Sequence, residues 1–208
     1  MGKKETTFDQ NTLEYDRWFE EHPCIYQSEI LAIQQALPKD KSGIEIGVGT
    51  GRFAETLHIK FGVEPSANMA RMAKKRGVHI YTAYSENLPI ENESFDFALM
   101  VTTVCFISDI PRAFSEVHRI LRPKGEIIVA IIDKNSALGK KYQAGQSSSK
   151  FYKEAHFHST EVITELLKQS GFHDFDFWQT LAKPDENEIE KPIKGYGQGS
   201  FVVIKAVK

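Results

Sequence analysis

The stretch from Ser42 to Gly51, with the sequence S-G-I-E-I-G-V-G-T-G, constrains the fold of this 208-residue chain more than any other. Ile44 and Ile46 are β-branched residues of the kind that fill a short buried strand. Three glycines follow at alternating positions, and residues 52–58 have a helical pattern. Since glycine has no Cβ, such a loop can turn sharply and let a ligand approach its backbone. A strand, a glycine turn and a helix predict the first unit of a nucleotide-binding sheet.

Strand and helix patterns alternate through residues 42–132, which predicts parallel strands joined by right-handed helical crossovers. The run E-I-I-V-A-I-I at residues 126–132 is typical of a central strand buried on both faces. The last two strands have no room for a crossover helix between them, so we expect them to be antiparallel. The strands predicted after the first are Ile59–Glu64, His79–Ala83, Phe95–Val101, Glu126–Ile132, Phe172–Leu181 and Ser200–Val207.

Composition narrows the class of protein and its partners. A net charge of −2 and a hydrophobic fraction of 41% are ordinary for a globular domain and unlike a dedicated nucleic-acid-binding protein. Cys24 and Cys105 lie far apart without metal-type spacing, so we expect reduced thiols, no metal site and a cytoplasmic location. No apolar run reaches the length that crosses a membrane.

Four segments, in a fixed order, carry a resemblance to a known family. The glycine stretch is similar to (V/I/L)-(D/E)-x-G-x-G-x-G, Ser85–Asp96 to A-E-x-L-P-F…S-F-D, and Asp109–Glu126 to D-x-x-x-x-x-x-E-x-x-R-V-L-K-P-G-G. The segment from Phe157 to Phe172 resembles the one that enters the family's last helix. With these motifs the chain resembles class I S-adenosylmethionine-dependent methyltransferases, from about Tyr15 to Lys208.

The resemblance implies an α/β fold with a doubly wound, Rossmann-like sheet of seven strands, mostly parallel with an antiparallel last strand, and an N-terminal helical lid. It implies one methyltransferase domain over residues 1–208. Its expected parts are a helical extension or lid at 1–38, a cofactor-binding core at 42–132, a variable substrate segment at 134–158, and a C-terminal helix and strand pair at 159–208.

Two helices are predicted in the N-terminal extension, separated by Pro23, and the second ends at Pro38. Tyr15 and Trp18 belong to an aromatic cluster in the first helix. Two interpretations stay open. These aromatic side chains pack in the core, or they close over the cofactor, as the comparable segment does in many small-molecule methyltransferases.

The implied cofactor is S-adenosylmethionine, and its chemical groups suit residues that match the family's motifs. A glycine loop at a helix N-terminus suits the methionine carboxylate, and Glu45 suits the ammonium. Glu64, at the end of the second strand, can accept hydrogen bonds from both ribose hydroxyls. The predicted cofactor-binding residues are Glu45, Gly47, Gly49, Gly51, Glu64, Pro65, Met69, Ser85, Glu86, Leu88, Thr102 and Thr103.

The chain departs from the family at two places. Tyr84 stands where an acid commonly binds the adenine amino group, so we expect Ser85, Glu86 or backbone groups to make that contact. Cys105 and Phe106 stand where many relatives carry a histidine pair. We expect this difference to affect the acceptor pocket more than the cofactor site.

Methyl transfer is an in-line displacement at an activated carbon, so a catalytic base is optional. The candidates for it are Tyr15, Asp133 and His158. Histidine titrates in the useful range, although His158 precedes a helix cap and a structural role for it stays open. Tyr142, Tyr152 and His156 are further candidates.

The predicted function is transfer of a methyl group from S-adenosylmethionine to a nitrogen or oxygen of a small molecule. We expect a monomer or homodimer with a small-molecule acceptor and no nucleic-acid or membrane partner. One alternative is a nicotinamide-dependent oxidoreductase, which the G-x-G-x-G spacing and the missing Tyr-x-x-x-Lys pair disfavour. Another is a non-catalytic sensor that binds the nucleoside. The missing Pro-Pro-aromatic motif disfavours a nucleic-acid methyltransferase.

Overall fold

The computed structural model describes residues 7–184 and 187–208, so the first six residues of the expected extension lie outside it. The strands are β1 Gly43–Ile46, β2 Phe61–Val63, β3 His79–Tyr81, β4 Phe95–Val101, β5 Leu121–Ile132, β6 His173–Thr180, β7 Ile193–Lys194 and β8 Phe201–Val207. The helices are α1 Thr7–Gln10, α2 Thr12–Glu21, α3 Pro23–Ala36, α4 Arg52–Thr56, α5 Ala67–Lys75, α6 Ile110–Ile120, α7 Ala137–Ala144 and α8 Thr160–Gln169. Short 3₁₀ helices span Val104–Phe106 and Gln146–Ser148.

All strands belong to one sheet with the order β3-β2-β1-β4-β5-β8-β6-β7. The strands from β1 to β5 pair in parallel, and β8 lies antiparallel between β5 and β6. The expected α/β fold and its antiparallel last strand are confirmed. The structure has eight strands where seven were expected, because Ile193 and Lys194 add a two-residue edge strand to β6. Two residues are too few to give a recognisable alternating pattern.

The sheet is buried on both faces, as a doubly wound fold requires. Along β4, Phe97 and Leu99 point to one face and pack in a cluster with Ile33 of α3. Ala98 and Met100 point to the other face, in a cluster with residues of α6 and α8. This alternation follows from the two-residue period of a strand. The sheet therefore separates two apolar layers.

Several helix starts follow from capping residues that the sequence shows. The side chains of Ser66, Asp109 and Ser159 each accept a hydrogen bond from a backbone N–H in the first turn of the following helix. The segment 134–158, expected to be loop or short helix, contains α7. Within the described ranges, the helices fall short of the length and apolar character needed to cross a membrane.

The start of β5 differs more from its prediction than the other strand boundaries, which agree within two residues. β5 begins at Leu121 and not at Glu126, because Leu121 pairs with Phe95 directly after α6 ends. The register then shifts before Glu126 pairs with Phe97. The polar residues between the two pairs hide this bulged extension from an apolar-run criterion.

Candidate active site

The glycine loop joins the end of β1 to the start of α4, at the edge where the parallel strands end. Gly47, Gly49 and Gly51 have φ angles of 73°, 56° and 87°, which residues with a Cβ rarely adopt. A Cβ at Gly47 would also lie 2.4 Å from Cγ2 of Thr103. At Gly49 the nearest atoms to such a Cβ belong to Tyr15 and are 3.7 Å away. The loop is therefore tightly packed on the side of Thr103 and covered by Tyr15 on another.

Glu45 lies in β1, two residues before the first glycine, and is 1% exposed. Among the described residues its Oε2 atom has no hydrogen-bond partner. Burial raises the pKa of Glu45 well above its usual value, a hydrogen bond with the backbone of Ala54 opposes this rise, and the charge of Glu64 adds to it. An orphaned buried carboxylate oxygen is unfavourable, and an ammonium group would satisfy it. The site therefore fits the ammonium of S-adenosylmethionine.

Glu64 follows β2 directly and ties the glycine loop to the start of α5. Its Oε2 accepts a 2.9 Å hydrogen bond from the backbone N–H of Gly49, and its Oε1 accepts one of 2.8 Å from Ser66. Burial raises the pKa of Glu64 to about 7, the two hydrogen bonds oppose that rise, and the charge of Asp9 adds to it. Each carboxylate oxygen has room for a second hydrogen bond, so this arrangement is compatible with a contact to ribose hydroxyls.

The predicted adenine contacts come from the segments after β2 and β3, which are adjacent parallel strands. In the first segment, Pro65 precedes α5 and the side chain of Met69 is 2% exposed. In the second, the hydroxyl of the buried Ser85 donates a 3.0 Å hydrogen bond to Oε2 of Glu86, and Leu88 is buried. Because the strands are parallel neighbours, both segments lie at the same edge of the sheet as the glycine loop.

Thr102 and Thr103 bend the chain away from the sheet at the end of β4. Thr102 has a φ of 45°, an unusual conformation for a β-branched residue, and its backbone N–H donates a 2.8 Å hydrogen bond to the carbonyl of Ala130. The hydroxyl of Thr103 donates one of 2.9 Å to the carbonyl of Val101. Its methyl group faces Gly47. Strained backbone of this kind is concentrated at functional sites.

The two departures from the family lie on different sides of the site. Tyr84, in the adenine segment, is 51% exposed. Cys105 is buried, and burial raises the pKa of its thiol to about 12, so the thiol is neutral. The Phe106 ring lies 5.0 Å from Phe8 and 6.1 Å from Tyr152. A neutral and largely apolar surface therefore replaces the histidine pair.

Aromatic side chains from α1, α2 and a later loop cover the glycine loop. The Tyr15 ring packs edge-on against Phe8, Phe19 and Phe151, with centroid distances of 5.7, 5.5 and 5.8 Å. Phe19 is 6% exposed and belongs to the core, whereas Tyr15 faces Gly49. Trp18 stacks on His22, directly after α2, and packs at the margin of the core. Phe19 thus packs in the core and Tyr15 lies over the glycine loop, so both interpretations of the aromatic cluster stay open.

Polar contacts that sequence reasoning missed fasten these helices to the loop. Asp16 of α2 accepts hydrogen bonds of 2.9 and 2.6 Å from Arg52 and one of 3.0 Å from Arg76. Burial alone would raise the pKa of Asp16, but the hydrogen bonds from both arginines hold it below its usual value. Asp9 of α1 accepts a hydrogen bond from the hydroxyl of Ser66. The position of Arg52 directly after the last glycine was the sequence feature that could have indicated these contacts.

Two of the three base candidates have surroundings that oppose a role as base. Burial, with the charges of Glu45 and Glu64, raises the pKa of Tyr15 above its usual value, so its hydroxyl stays protonated and can donate but not act as a base. Asp133 accepts hydrogen bonds of 2.7 Å from the backbone of Asn135, and of 2.7 and 2.6 Å from the backbone and hydroxyl of Thr160. Asp133 therefore fastens the start of α8, and its catalytic role stays a prediction.

The surroundings of His158 are compatible with its predicted role as a base. It lines a cavity of about 10 Å³, the space of one water molecule, together with Thr102, Cys105 and Tyr152. Burial lowers the pKa of His158, and the neighbouring His156 and Lys134 lower it further. The imidazole is therefore neutral near pH 7 and can accept a proton.

Glu29 is a further residue that the sequence analysis did not identify. It lies in α3, is 6% exposed, and has neither a hydrogen-bond nor an ion-pair partner within residues 7–184 and 187–208. Burial raises its pKa to about 8. Its charge acts on the hydroxyls of Tyr15, Tyr142 and Tyr152. An acid directly before the apolar Ile30, on the buried side of a helix, was the signal that could have identified it.

Comparison with known proteins gives a consistent result. The family model described as "Methyltransferase domain" matches residues 44–129, which contain the glycine loop, Glu64 and both threonines. A protein of Methanocaldococcus jannaschii without a described function is 44% identical over 97% of this chain and 98% of its own length.

Two solved structures are similar in fold. The first is a crystal structure from Thermotoga maritima named "SAM-dependent methyltransferase, possible histamine N-methyltransferase". It is 50% identical, covers 97% of this chain and 98% of its own, and has a TM-score of 0.95. The second is phosphoethanolamine N-methyltransferase 2 of Haemonchus contortus in complex with S-adenosyl-L-methionine, with 18% identity and a TM-score of 0.66 over 96% of this chain and 57% of its own. The second likeness concerns the fold alone.

Proposed function

Because this chain belongs to the class I S-adenosylmethionine-dependent methyltransferase family, we propose that it methylates a nitrogen or oxygen of a small molecule held between the glycine loop and α1 and α2. The observation that carries this proposal is the closure of Tyr15 over Gly49. Phe8 and Phe151 extend this cover, and Asp16 fastens it through Arg52. A covered site of this kind suits a small acceptor better than a macromolecule.

The cofactor is S-adenosylmethionine, which supplies a methyl group on a positively charged sulfur, so that transfer to an acceptor N–H or O–H leaves S-adenosylhomocysteine and one proton. We assign Glu45 to the ammonium, because its Oε2 lacks a partner among the described residues. We assign Glu64 to the ribose and the turn around Thr50 to the carboxylate, because the N–H groups of Gly47 and Gly49 already donate to Val63 and Glu64. Thr102, Thr103 and the segments around Met69 and Leu88 complete the proposed cofactor site.

The residues around the acceptor hold it and exclude water. Tyr15, whose hydroxyl remains protonated, can donate a hydrogen bond to the acceptor. His158, neutral near pH 7, is the base that we retain for acceptors that must lose a proton. Enclosure by aromatic side chains keeps the reacting groups aligned and away from water.

The alternatives drawn from the sequence lose their support. The nicotinamide-dependent oxidoreductase required a different cofactor, and the matched domain and the Thermotoga maritima structure both belong to methyltransferases. The non-catalytic sensor would bind the same nucleoside through the same loop, but the Thermotoga maritima structure, which covers 97% of this chain, is named as a methyltransferase. Neither is proposed further.

The proposal is tested by the release of S-adenosylhomocysteine from S-adenosylmethionine in the presence of panels of small amines, phenols and carboxylates. We expect release above the background rate with at least one panel, and a methylated product of the acceptor's mass plus one methyl group. The proposal is overturned if all small acceptors remain at background while an RNA or protein extract supports release.

A further inference from the structure

Glu29 is an unpaired acid in a part of the molecule that the cofactor assignment leaves unused. Its carboxylate is more than nine-tenths buried and meets no donor or cation within the described ranges. Burial raises the pKa of Glu29 to about 8, so the acid is mainly protonated in the free protein near pH 7. An incoming positive charge would favour the ionised form and pair with it.

Three tyrosines from different segments are influenced by the charge of this acid. Tyr15 comes from α2, Tyr142 from α7 and Tyr152 from the loop that follows, and the charge of Glu29 acts on the hydroxyl of each. The rings of Tyr142 and Tyr152 stack with a centroid distance of 5.0 Å. In the described part of the chain none of the three hydroxyls has a hydrogen-bond partner. Stacked aromatic faces beside a carboxylate are the surroundings that bind organic cations.

The same tyrosines place Glu29 next to the reaction. Tyr15 faces Gly49 and lies close enough to Glu29 for the acid's charge to act on its hydroxyl, and Tyr152 lines the cavity that His158 and Thr102 also line. A ligand bound to Glu29 therefore lies on the acceptor side of the lid, within the enclosure assigned to methyl transfer.

We propose that Glu29, with Tyr15, Tyr142 and Tyr152, binds the cationic nitrogen of the acceptor, and that the acceptor is a small organic amine. The proposal rests on the proposed function, because it names the substrate class of that same enclosure. The carboxylate pairs with the ammonium group, and the tyrosine rings offer their electron-rich faces to it. A neutral acceptor would gain no ion pair with Glu29, and an anionic acceptor would oppose its ionisation.

The test compares matched ligands on the protein saturated with S-adenosylhomocysteine. Calorimetric titration is carried out with 2-phenylethylamine, histamine and butane-1,4-diamine, and with the corresponding alcohols as neutral counterparts. We expect at least one amine to bind tenfold or more tightly than its alcohol at pH 7. The proposal is overturned if no amine binds, or if every amine and its alcohol bind alike.

Variants show whether Glu29 is responsible. In Glu29→Gln we expect the preference for the amine to fall at least tenfold, with the affinity for S-adenosylhomocysteine unchanged. Glu21→Gln, an exposed acid on α2, is the matched control and should keep the preference. If Glu29→Gln does not fold, Tyr152→Leu replaces it as the test, because it removes one aromatic ring. Tyr152→Phe and Tyr142→Phe, which keep the rings, are then its controls. A retained preference in Glu29→Gln, or in Tyr152→Leu where that variant replaces it, overturns the proposal.

The outcome also separates this proposal from the proposed function. If amines bind through Glu29 and no acceptor of any class releases S-adenosylhomocysteine, the proposed function fails and the amine site stands. If phenols or carboxylates are methylated at rates that Glu29→Gln does not change, the function stands and the amine site fails.

Discussion

Glu64 accepts a 2.9 Å hydrogen bond from the backbone N–H of Gly49, fifteen residues earlier, so the acid at the end of β2 holds the middle of the glycine loop. The same carboxylate accepts the backbone N–H of Ser66 at the start of α5. One side chain thus connects two segments that the cofactor is proposed to contact. The charge state of Glu64 should therefore control both the loop and the ligand.

We first predict that affinity for S-adenosylmethionine falls below pH 7. Burial raises the pKa of Glu64 to about 7, so in more acidic solution the carboxyl is protonated and loses acceptor capacity. The dissociation constant should rise up to tenfold per pH unit below that value, as calorimetric titration between pH 5.5 and 8.5 can show. Since the pKa of Glu45 is also raised and its charge interacts with Glu64, Glu64→Gln is the control.

In Glu64→Gln the binding should be weak at every pH, and the part of the pH dependence that wild type owes to Glu64 should be missing. Glu64→Ala should lose micromolar binding altogether. An unchanged pH profile in Glu64→Gln would contradict the assignment, as would tight binding of NADH to the wild-type protein.

The sequence predicted the sheet well because each central strand carries an apolar pattern. β4 was predicted at its observed limits, Phe95–Val101, since a strand buried on both faces has few polar residues to blur its ends. The glycine loop could be predicted because positive φ angles select glycine at each position. A strand as short as β7, with two residues, could not be predicted because it has no recognisable alternating pattern.

The rest of the site depends on contacts between residues far apart in the chain. The hydrogen bond between Asp16 and Arg76 joins residues 60 positions apart, and the sequence around neither residue indicates it. Asp133 follows a strand at the edge where ligands bind, yet its carboxylate is used by Thr160. The sequence shows which residue types are available, whereas only the folded chain shows which of them already have partners.

A second prediction concerns the packing of the glycine loop. Gly47→Ala places a Cβ 2.4 Å from the Thr103 side chain at a φ of 73°, so strain and overlap add. We expect a loss of about 3 kcal/mol in the free energy of unfolding, and weak cofactor binding. Gly77→Ala is the control, because its φ is 84° but no atom lies within 4 Å of the new Cβ.

Gly77→Ala should cost about 1 kcal/mol, which is the conformational part alone. Urea unfolding of both variants measures the difference. Equal losses in the two variants would show that Thr103 does not restrict the loop.

The third prediction tests the fastening of α2. Asp16→Asn should lower the free energy of unfolding by about 3 kcal/mol at pH 7, because it leaves Arg52 and Arg76 without their shared partner. Glu14→Gln, on the same helix, breaks an exposed ion pair with Lys150 and should cost under about 1 kcal/mol. Chemical denaturation measures both losses.

The pH dependence of Asp16→Asn gives a further check. The pKa of Asp16 is held below its usual value of 3.8, so its stabilising effect is complete above that pH and disappears as the pH falls through the lower folded value. The difference between wild type and variant should therefore be constant from pH 7 to about pH 5. A difference that shrinks within that range would contradict the ion-pair assignment.

Finally, Glu29→Gln should stabilise the protein at neutral pH while impairing acceptor binding. Burial raises the pKa of Glu29 from 4.5 to about 8, so wild type loses stability as the pH rises from 4.5 through 8 and the buried acid becomes charged. The variant is neutral throughout, so its advantage should be absent below pH 4.5 and reach at most about 3 kcal/mol at pH 7. Thermal unfolding of both proteins at pH 4.5, 6 and 8 measures this. A residue that served packing alone would show no such gain paired with a loss of amine binding, since stability is given up only where the buried charge has a use.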